Sequence, residues 1–142
     1  MELQEAVLGR RSIRQFQDRE IPEAFVHRIV SAAAMAPSAG NEQPWHFVIL
    51  NKRNMLDAVP AINPFAAMAA FAPLGVLVCG DLSLEKYSGF WVQDCSAAMQ
   101  NLLLAAHGLG LGAVWTGIYP LDDRINGFRE FLQLPEQIIP FG

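Results

Sequence analysis

Hydrophobic and polar positions along the chain divide it into segments with two different periodicities. Apolar residues recur at helical spacing from Phe25 to Ala33, which predicts an amphipathic helix with one buried face. Pro22 is suited to the first position of that helix. The run from Leu74 to Asp81 is almost unbroken in apolar character and is bounded by turn residues. Such a run is typical of a central strand that is covered on both faces.

The other segments are assigned in the same way. Further helices are predicted over Leu3–Leu8, from the polar break at Lys52–Asn54 to about Val59, and over Ala66–Phe71, Phe90–His107 and Leu121–Leu132. Further strands are predicted over His46–Leu50 and Gly112–Thr116, and Gln137–Phe141 is predicted to begin another strand. Pro60 is expected to end the helix that runs to about Val59. Because helices alternate with strands, the predicted fold class is α/β or α+β.

The segment from Phe90 to His107 is apolar on nearly every side of a helix, so we expect it in the interior. Small residues such as Ala97 and Ala98 would allow another helix to approach closely. A domain of this size has difficulty covering every face of such a helix, which predicts a dimer packed largely through this segment.

Length and composition indicate a single domain, part of whose apolar surface is covered by a partner subunit. The chain has 142 residues, of which 52% are hydrophobic and only 17% are charged. This length allows one domain, residues 1–142, with a substantial core. So few charges beside so much apolar sequence suggest that a partner subunit covers part of the surface.

The charge and cysteine content argue against several classes of function. A net charge of −4 disfavours nucleic-acid binding, which requires a basic face. Cys79 and Cys95 lie in apolar contexts without metal-ligand spacing, so no metal site is predicted. No apolar run is long enough to span a bilayer, and the N-terminus lacks the hydrophobic core of a signal peptide. We therefore expect a cytoplasmic protein with no membrane partner.

Two short segments could bind a ligand. Three guanidinium groups and a hydroxyl lie within five residues, in Arg10-Arg11-Ser12-Ile13-Arg14, a composition that suits a phosphate group but also an ordinary solvated basic arm. The turn from Pro37 to Asn41 joins two buried elements, and Gly40 or Asn41 can supply a positive φ. A flat ligand could lie against this turn, although a plain helix-to-strand connection remains the alternative.

The motifs RRSIR and APSAGNEQPWHF, in this order, resemble those of the nitroreductase family of FMN-dependent oxidoreductases. The resemblance implies a central mixed sheet flanked by helices, in an intertwined homodimer with FMN at the interface. It also implies a ping-pong reaction, in which NADH or NADPH reduces the flavin and a flat acceptor such as a nitroaromatic or quinone oxidises it. The chemistry takes place at N5 of FMN, without a catalytic side chain.

The resemblance assigns roles to individual residues. Arg10 and Ser12 match residues that hold the phosphate and ribityl groups, and Arg14 matches a basic residue near N1 and O2 of the ring. Arg11 matches less clearly and could be a surface contact. Pro37 and Ser38 match residues that touch the ring from the other subunit. The segment Trp115-Thr116-Gly117 matches one that passes the flavin edge, although we expect the side chain of Trp115 itself in the core.

Several alternatives remain open. A flavin-remodelling or reductive dehalogenating enzyme of the same fold, or a non-catalytic flavin-binding protein, would share these motifs. Segments 61–72 and 82–90 are the expected lids that select the acceptor. Family chains usually continue with a further strand and an arm that carries a basic residue, so we expect the natural chain to continue past Gly142. The three histidines show no triad pattern, and His46 and His107 are expected to be structural.

Overall fold

The fold consists of five α-helices and a three-stranded sheet, and the computed structural model describes all residues from 1 to 142. The elements are α1 (Leu3–Gly9), α2 (Glu23–Ala34), β1 (Trp45–Leu50), α3 (Arg53–Ile62), β2 (Gly75–Asp81), α4 (Trp91–Gly108), α5 (Asp122–Leu132) and β3 (Ile138–Pro140). Short 3-10 helices occupy Ala39–Asn41, Pro64–Phe71 and Leu82–Leu84. The predicted α/β class is confirmed.

The sheet has the order β1-β2-β3, so the strand with the unbroken apolar run is central, as predicted. Its pairing is antiparallel throughout, from Leu50 opposite Gly75 to Asp81 opposite Ile138. The mixed sheet implied by the resemblance is therefore not observed. Parallel pairing occurs only as an isolated bridge between Ser12 and Ala113, outside the sheet.

The segment from Gly112 to Thr116 is not a strand, contrary to the prediction. It is extended chain with the single bridge at Ala113. A strand requires a hydrogen-bonded neighbour, and no named strand of this chain lies beside the segment. The apolar pattern of these residues reflects the cavity that they border, described below.

Two hydrophobic clusters cover the opposite faces of β2. Val78 joins a cluster formed mainly by α2 and α4, whereas Leu77 and Cys79 join one that includes Leu56 of α3 and Phe128 of α5. Because successive side chains of a strand point to opposite faces, a continuous apolar run fills both clusters. The prediction that this strand is buried on both sides is confirmed.

Helix α4 is covered mainly by its own chain. Eight of its residues are buried, and Ala98 is fully inaccessible within the cluster that α4 shares with α2. Ala97 and Leu104 are half-buried and form part of the less covered side. Ala98 is thus a contact inside one chain, and a dimer packed through α4 stays a prediction.

Two boundaries near prolines differ from the prediction. Pro22 is the N-cap residue of α2, one position before the first helical residue. Helix α3 continues through Pro60 to Ile62, and the amide of Asn63 donates to the carbonyl of Val59 at 2.9 Å. Proline removes one helical hydrogen bond. Burial of Val59 and packing of Ile62 against the second cluster favour the continued helix.

The carboxylate of Asp81, at the end of β2, is a buried structural acceptor. Oδ2 lies 2.8 Å from Nε2 of His46, and Oδ1 accepts from the amide and hydroxyl of Ser83. Burial raises the pKa of Asp81, but the bonds from Ser83 and His46 outweigh burial and lower the pKa overall. This contact confirms a structural role for His46.

We expect Asp81→Asn to lower the free energy of unfolding at pH 7, and we expect the deficit to shrink as the pH falls below about 4. A carboxylate with a lowered pKa stabilises the fold above its unfolded-state pKa, and this stabilisation is lost as acid protonates the folded form. Urea unfolding of both proteins from pH 3 to pH 7 measures the difference. A deficit that stays constant over this range would contradict the assignment.

Both cysteines are free thiols in the core. Cys79 and Cys95 are fully inaccessible, and the Sγ atom of Cys95 lies 3.7 Å from the carbonyl oxygen of Cys79. Burial raises the pKa of each thiol to about 12. No group of three or more histidine, cysteine, aspartate or glutamate residues could hold a metal ion. None of the helices is both long and apolar enough to cross a bilayer.

Candidate functional site

The arginine-rich arm lies beside the segment of residues 112–117. The amide of Ile13 donates to the carbonyl of Ala113 at 3.0 Å, next to the Ser12–Ala113 bridge. A side chain at position 112 would bring its Cβ within 2.8 Å of Cγ2 of Ile13, so this approach requires Gly112. Two of the three predicted site segments therefore adjoin one another.

Within the arm, two guanidinium groups are free and one is not. Arg10 and Arg14 form no ion pair, and their side chains donate to no acceptor in the chain. Arg11 instead turns back, and its Nη1 donates to the carbonyls of Leu8 at 2.8 Å and Arg10 at 2.9 Å. Arg10 and Arg14, together with the exposed Ser12, are the groups available to an anion.

Five consecutive backbone amides, from Val114 to Ile118, donate to no acceptor in the chain. The segment is nevertheless fixed, because the carbonyl of Gly117 accepts from Nδ2 of Asn63 at 3.2 Å and from Nη1 of Arg124 at 2.7 Å. Unpaired backbone amides are strong hydrogen-bond donors. This anchored segment can therefore offer donors to a polar ligand edge.

Asn63 and Arg124 also connect this segment to the expected lid of residues 61–72. Oδ1 of the fully buried Asn63 accepts from the amide of Phe65 at 3.1 Å. The guanidinium of Arg124 lies 5.2 Å from the centre of the Phe65 ring, within range of a cation–π interaction. Sequence patterns did not identify either residue, because an asparagine before a proline is also an ordinary turn signal.

Trp115 is not a core residue, contrary to the expectation. Its side chain is 39% exposed and its ring centroid lies 5.4 Å from that of Phe141. The segment that carries it has no strand neighbour, so the indole is covered on one side only. Trp45, in contrast, is buried.

A cavity of about 590 Å³ opens beside this segment. It is bordered by Ile13, Gln15 and Phe16, by the start of β2 at Gly75–Leu77, and by residues 111–116, and its lining is mainly apolar. Of the predicted site residues, Trp115 and Thr116 line the cavity. The others do not, namely Arg10, Arg11, Ser12, Arg14, Pro37, Ser38 and Gly117. The space is large enough for the body of a small-molecule ligand.

The turn that carries Pro37 and Ser38 has a defined backbone. Gly40, Asn41 and Gln43 adopt positive φ angles of 54°, 53° and 46°, which confirms the prediction for the first two. The hydroxyl of Ser38 accepts from the amide of Gln43 at 3.0 Å. Pro37 is exposed and Ser38 half-buried, so the turn presents a small surface to solvent.

Two buried carboxylates, Glu42 and Asp94, hold this turn in place. Oδ1 of Asp94 accepts from the amide of Ala39 at 3.0 Å. Oε2 of Glu42 accepts from the amides of Lys86 at 2.6 Å and Tyr87 at 3.2 Å. Neither carboxylate was predicted from the sequence. An acidic residue at an inward position of the apolar helix α4 was the available signal for Asp94.

Comparison with known proteins identifies the family. The family model described as "Nitroreductase family" matches residues 7–75 and 72–142. A protein of Methanothermobacter thermautotrophicus, provisionally named NADH dehydrogenase/NAD(P)H nitroreductase, is 55% identical over 142 residues, which are 100% of this chain and 74% of that protein.

Solved structures agree with this match. A provisionally named NADH oxidase of Clostridium acetobutylicum superposes with a TM-score of 0.94 at 37% identity, covering 96% of this chain and 82% of the other. A provisionally named nitroreductase of Desulfovibrio desulfuricans, solved in complex with FMN, gives a TM-score of 0.84 at 32% identity and covers 97% and 80% of the two chains. The chain belongs to the nitroreductase family.

Proposed function

We propose that this chain is an FMN-dependent oxidoreductase that transfers electrons from NADH or NADPH to a flat acceptor such as a nitroaromatic or a quinone. Membership of the nitroreductase family makes it an oxidoreductase, and the relatives named above support the flavin and the nicotinamide donor. The observation that carries the proposal is the pair of unpaired guanidinium groups beside five free backbone amides. Bound FMN would supply the two-electron chemistry, in separate reductive and oxidative half-reactions.

The arm would hold the phosphate end of the cofactor. Arg10 offers planar, bidentate donors to phosphate oxygens, and Ser12 adds a hydroxyl beside it. Arg11 would contribute less, because its donors already bind backbone carbonyls. Neither Arg10 nor Ser12 has a competing carboxylate partner, so binding an anion requires no internal ion pair to break.

Arg14 and the segment Trp115-Thr116-Gly117 would set the electrostatics at the ring. A free guanidinium near the ring favours negative charge there by direct Coulomb attraction. Amides of the anchored segment would donate to polar atoms of the ring edge and fix its orientation. Trp115 and Thr116 line the cavity, which would give the ring an apolar surface and exclude water from part of the site.

A homodimer would complete the site, with Pro37 and Ser38 of one chain against the flavin held by the other. Pro37 is exposed and Ser38 is half-buried on a turn that faces solvent, which supports a contribution to a partner's site. Exposed apolar side chains on and near the N-terminal helices, Leu3, Leu8 and Met35 at 75%, 72% and 80% exposure, are suited to burial against a second chain.

The purified protein tests this proposal directly. We expect a yellow protein that binds about one FMN per chain, since the arm and the amide segment form one site in each chain. Absorbance spectroscopy and titration of the apoprotein with FMN measure the stoichiometry. Turnover with NADH or NADPH and a nitroaromatic or quinone then measures the activity. A colourless protein that takes up no FMN at micromolar concentration would overturn the assignment.

We expect Arg14→Gln to lower the flavin midpoint potential by about 30–60 mV. A charge-assisted interaction contributes about 1.5–3 kcal/mol, and 30 mV corresponds to about 1.4 kcal/mol for a two-electron couple. Potentiometric titration with FMN fully bound measures the shift. Lys52→Gln, an exposed change in the β1–α3 connection, serves as the control. Equal potentials in wild type and Arg14→Gln would show that Arg14 lies away from the ring.

A further inference from the structure

Two buried carboxylates meet behind the turn of residues 37–43. Glu42 and Asp94 are 6% and 5% exposed, and their side chains lie within hydrogen-bonding reach of each other. One oxygen of each, Oε1 of Glu42 and Oδ2 of Asp94, is buried and has no hydrogen-bond donor. The other oxygen of each is satisfied by backbone amides, those of Lys86 and Tyr87 for Glu42 and that of Ala39 for Asp94.

These two buried oxygens without a donor destabilise the folded chain when both carboxylates are ionised. Like charges repel, and each buried acceptor lacks a partner. A single proton between the two groups removes one charge and satisfies both oxygens with one hydrogen bond. This arrangement accounts for the two unpartnered atoms without any additional group.

The surrounding charges provide no other donor. Lys86 favours the ionised form of Glu42, but its Nζ donates to the carbonyl of Gly40 at 3.2 Å. Glu85, from the same loop, acts electrostatically on Asp94 and raises its pKa, and Oε1 of Glu85 accepts from the amides of Gly89 and Trp91. The neighbouring thiol of Cys95 points to the carbonyl of Cys79.

The pair joins three parts of the chain. Through Ala39, Asp94 connects α4 to the turn of Pro37 and Ser38, and through Lys86 and Tyr87, Glu42 connects this turn to the expected lid of residues 82–90. We propose that Glu42 and Asp94 share one proton, and that this proton positions the turn and the lid segment for ligand binding. For FMN as that ligand, the inference depends on the proposed function.

The sign of the pH dependence follows from the pair. Burial and the neighbouring Glu42 raise the pKa of Asp94 to about 6, whereas backbone donors lower the pKa of Glu42 although burial opposes them. Asp94 therefore contributes stability below its unfolded-state pKa, and this contribution is lost as the pH rises to about 6. Above that pH the two carboxylates repel, and the turn is held less firmly.

The shared proton is tested without any ligand. Infrared spectroscopy of the full chain at pH 5 should show a C=O band of a protonated carboxylic acid that Asp94→Asn lacks, beyond the signal of partly protonated exposed carboxyls that both proteins share. This difference should disappear by pH 8. Asp94→Asn, which keeps a donor towards Glu42, should also flatten the fall in unfolding free energy between pH 4 and pH 6. Glu42→Gln is the second variant, and Glu130→Gln, an exposed change on α5, is the control. Equal C=O bands in the folded wild type and Asp94→Asn at pH 5 would overturn the shared proton.

The positioning role is tested with FMN as the probe, at pH values from 5 to 8. In wild type, loss of the shared proton and of the turn position that depends on it should weaken FMN affinity by up to about tenfold for each pH unit above 6. Ionisation of the phosphate, whose second pKa is also about 6, acts in both proteins, so the relevant quantity is the ratio of affinities in wild type and Asp94→Asn. This ratio should fall as the pH rises.

The possible results separate the two ideas. A pH-independent ratio, with FMN bound by both proteins, overturns the positioning role. If wild type binds no FMN at any pH, the proposed function fails, and the infrared band and the stability profile still decide whether the proton is shared. If Asp94→Asn does not fold, Glu42→Gln provides the same comparison.

Discussion

Replacing Ala98 with glutamate is expected to unfold the chain rather than only separate two subunits. Ala98 is fully inaccessible, in the cluster where α4 packs on α2. An uncompensated buried charge costs about 3–5 kcal/mol, which is a large part of the stability of an ordinary domain. Circular dichroism during urea unfolding measures the loss, and sedimentation records the oligomeric state.

Gln100→Glu, an exposed change two residues along the same helix, is the matched control and should change stability by less than about 0.5 kcal/mol. A folded Ala98→Glu monomer of near wild-type stability would mean that this side of α4 faces a partner and not the chain's own core. A substitution that tests the dimer therefore belongs at a half-buried position of α4, such as Ala97.

Arg10→Gln is expected to weaken FMN binding by about 10- to 150-fold, because one charge-assisted contact to a phosphate contributes about 1.5–3 kcal/mol. The loss should be smaller at high salt, since an exposed ion contact is screened over a Debye length of about 8 Å at physiological ionic strength. Fluorescence titration of the apoprotein at two salt concentrations measures both effects.

Arg28→Gln, an exposed charge on α2 outside both the motif of residues 10–14 and the cavity lining, provides the control for the general loss of positive charge. Equal weakening by Arg10→Gln and Arg28→Gln would indicate long-range attraction rather than a contact. Unchanged affinity in Arg10→Gln would place the phosphate elsewhere in the molecule.

The sequence predicted those elements whose pattern depends on burial by the chain itself. The continuous apolar run of β2 requires cover on both faces, and the structure has a cluster on each side. The extended segment of residues 112–116 has a similar composition, yet it has no strand neighbour within this chain. Periodicity reports burial and not pairing partners, so it assigned a strand there and placed the Trp115 side chain in the core.

The sequence predicted only those residues of the candidate site that lie together in one short motif. Arg10, Ser12 and Arg14 stand close together in sequence, whereas their position beside Ala113 depends on a contact far along the chain. Glu42 and Asp94 likewise meet only through tertiary packing. Sequence spacing carries no information about such pairs, because each carboxylate alone is compatible with solvent exposure.

The depth of the two thiols makes each of them a probe of how often the native structure opens. Thiolate, rather than thiol, is the reactive form, and with a pKa of about 12 only about one part in ten thousand is ionised at pH 8. Neither sulfur is accessible in the folded chain. Labelling by an alkylating reagent must therefore wait for a fluctuation that opens the cluster around the thiol. For Cys95 this is the cluster between β2 and α4, and for Cys79 it is the cluster between β2, α3 and α5. The labelling rate reports the free energy of that opening. A ligand that binds the closed form raises this free energy, and the slower labelling measures the increase.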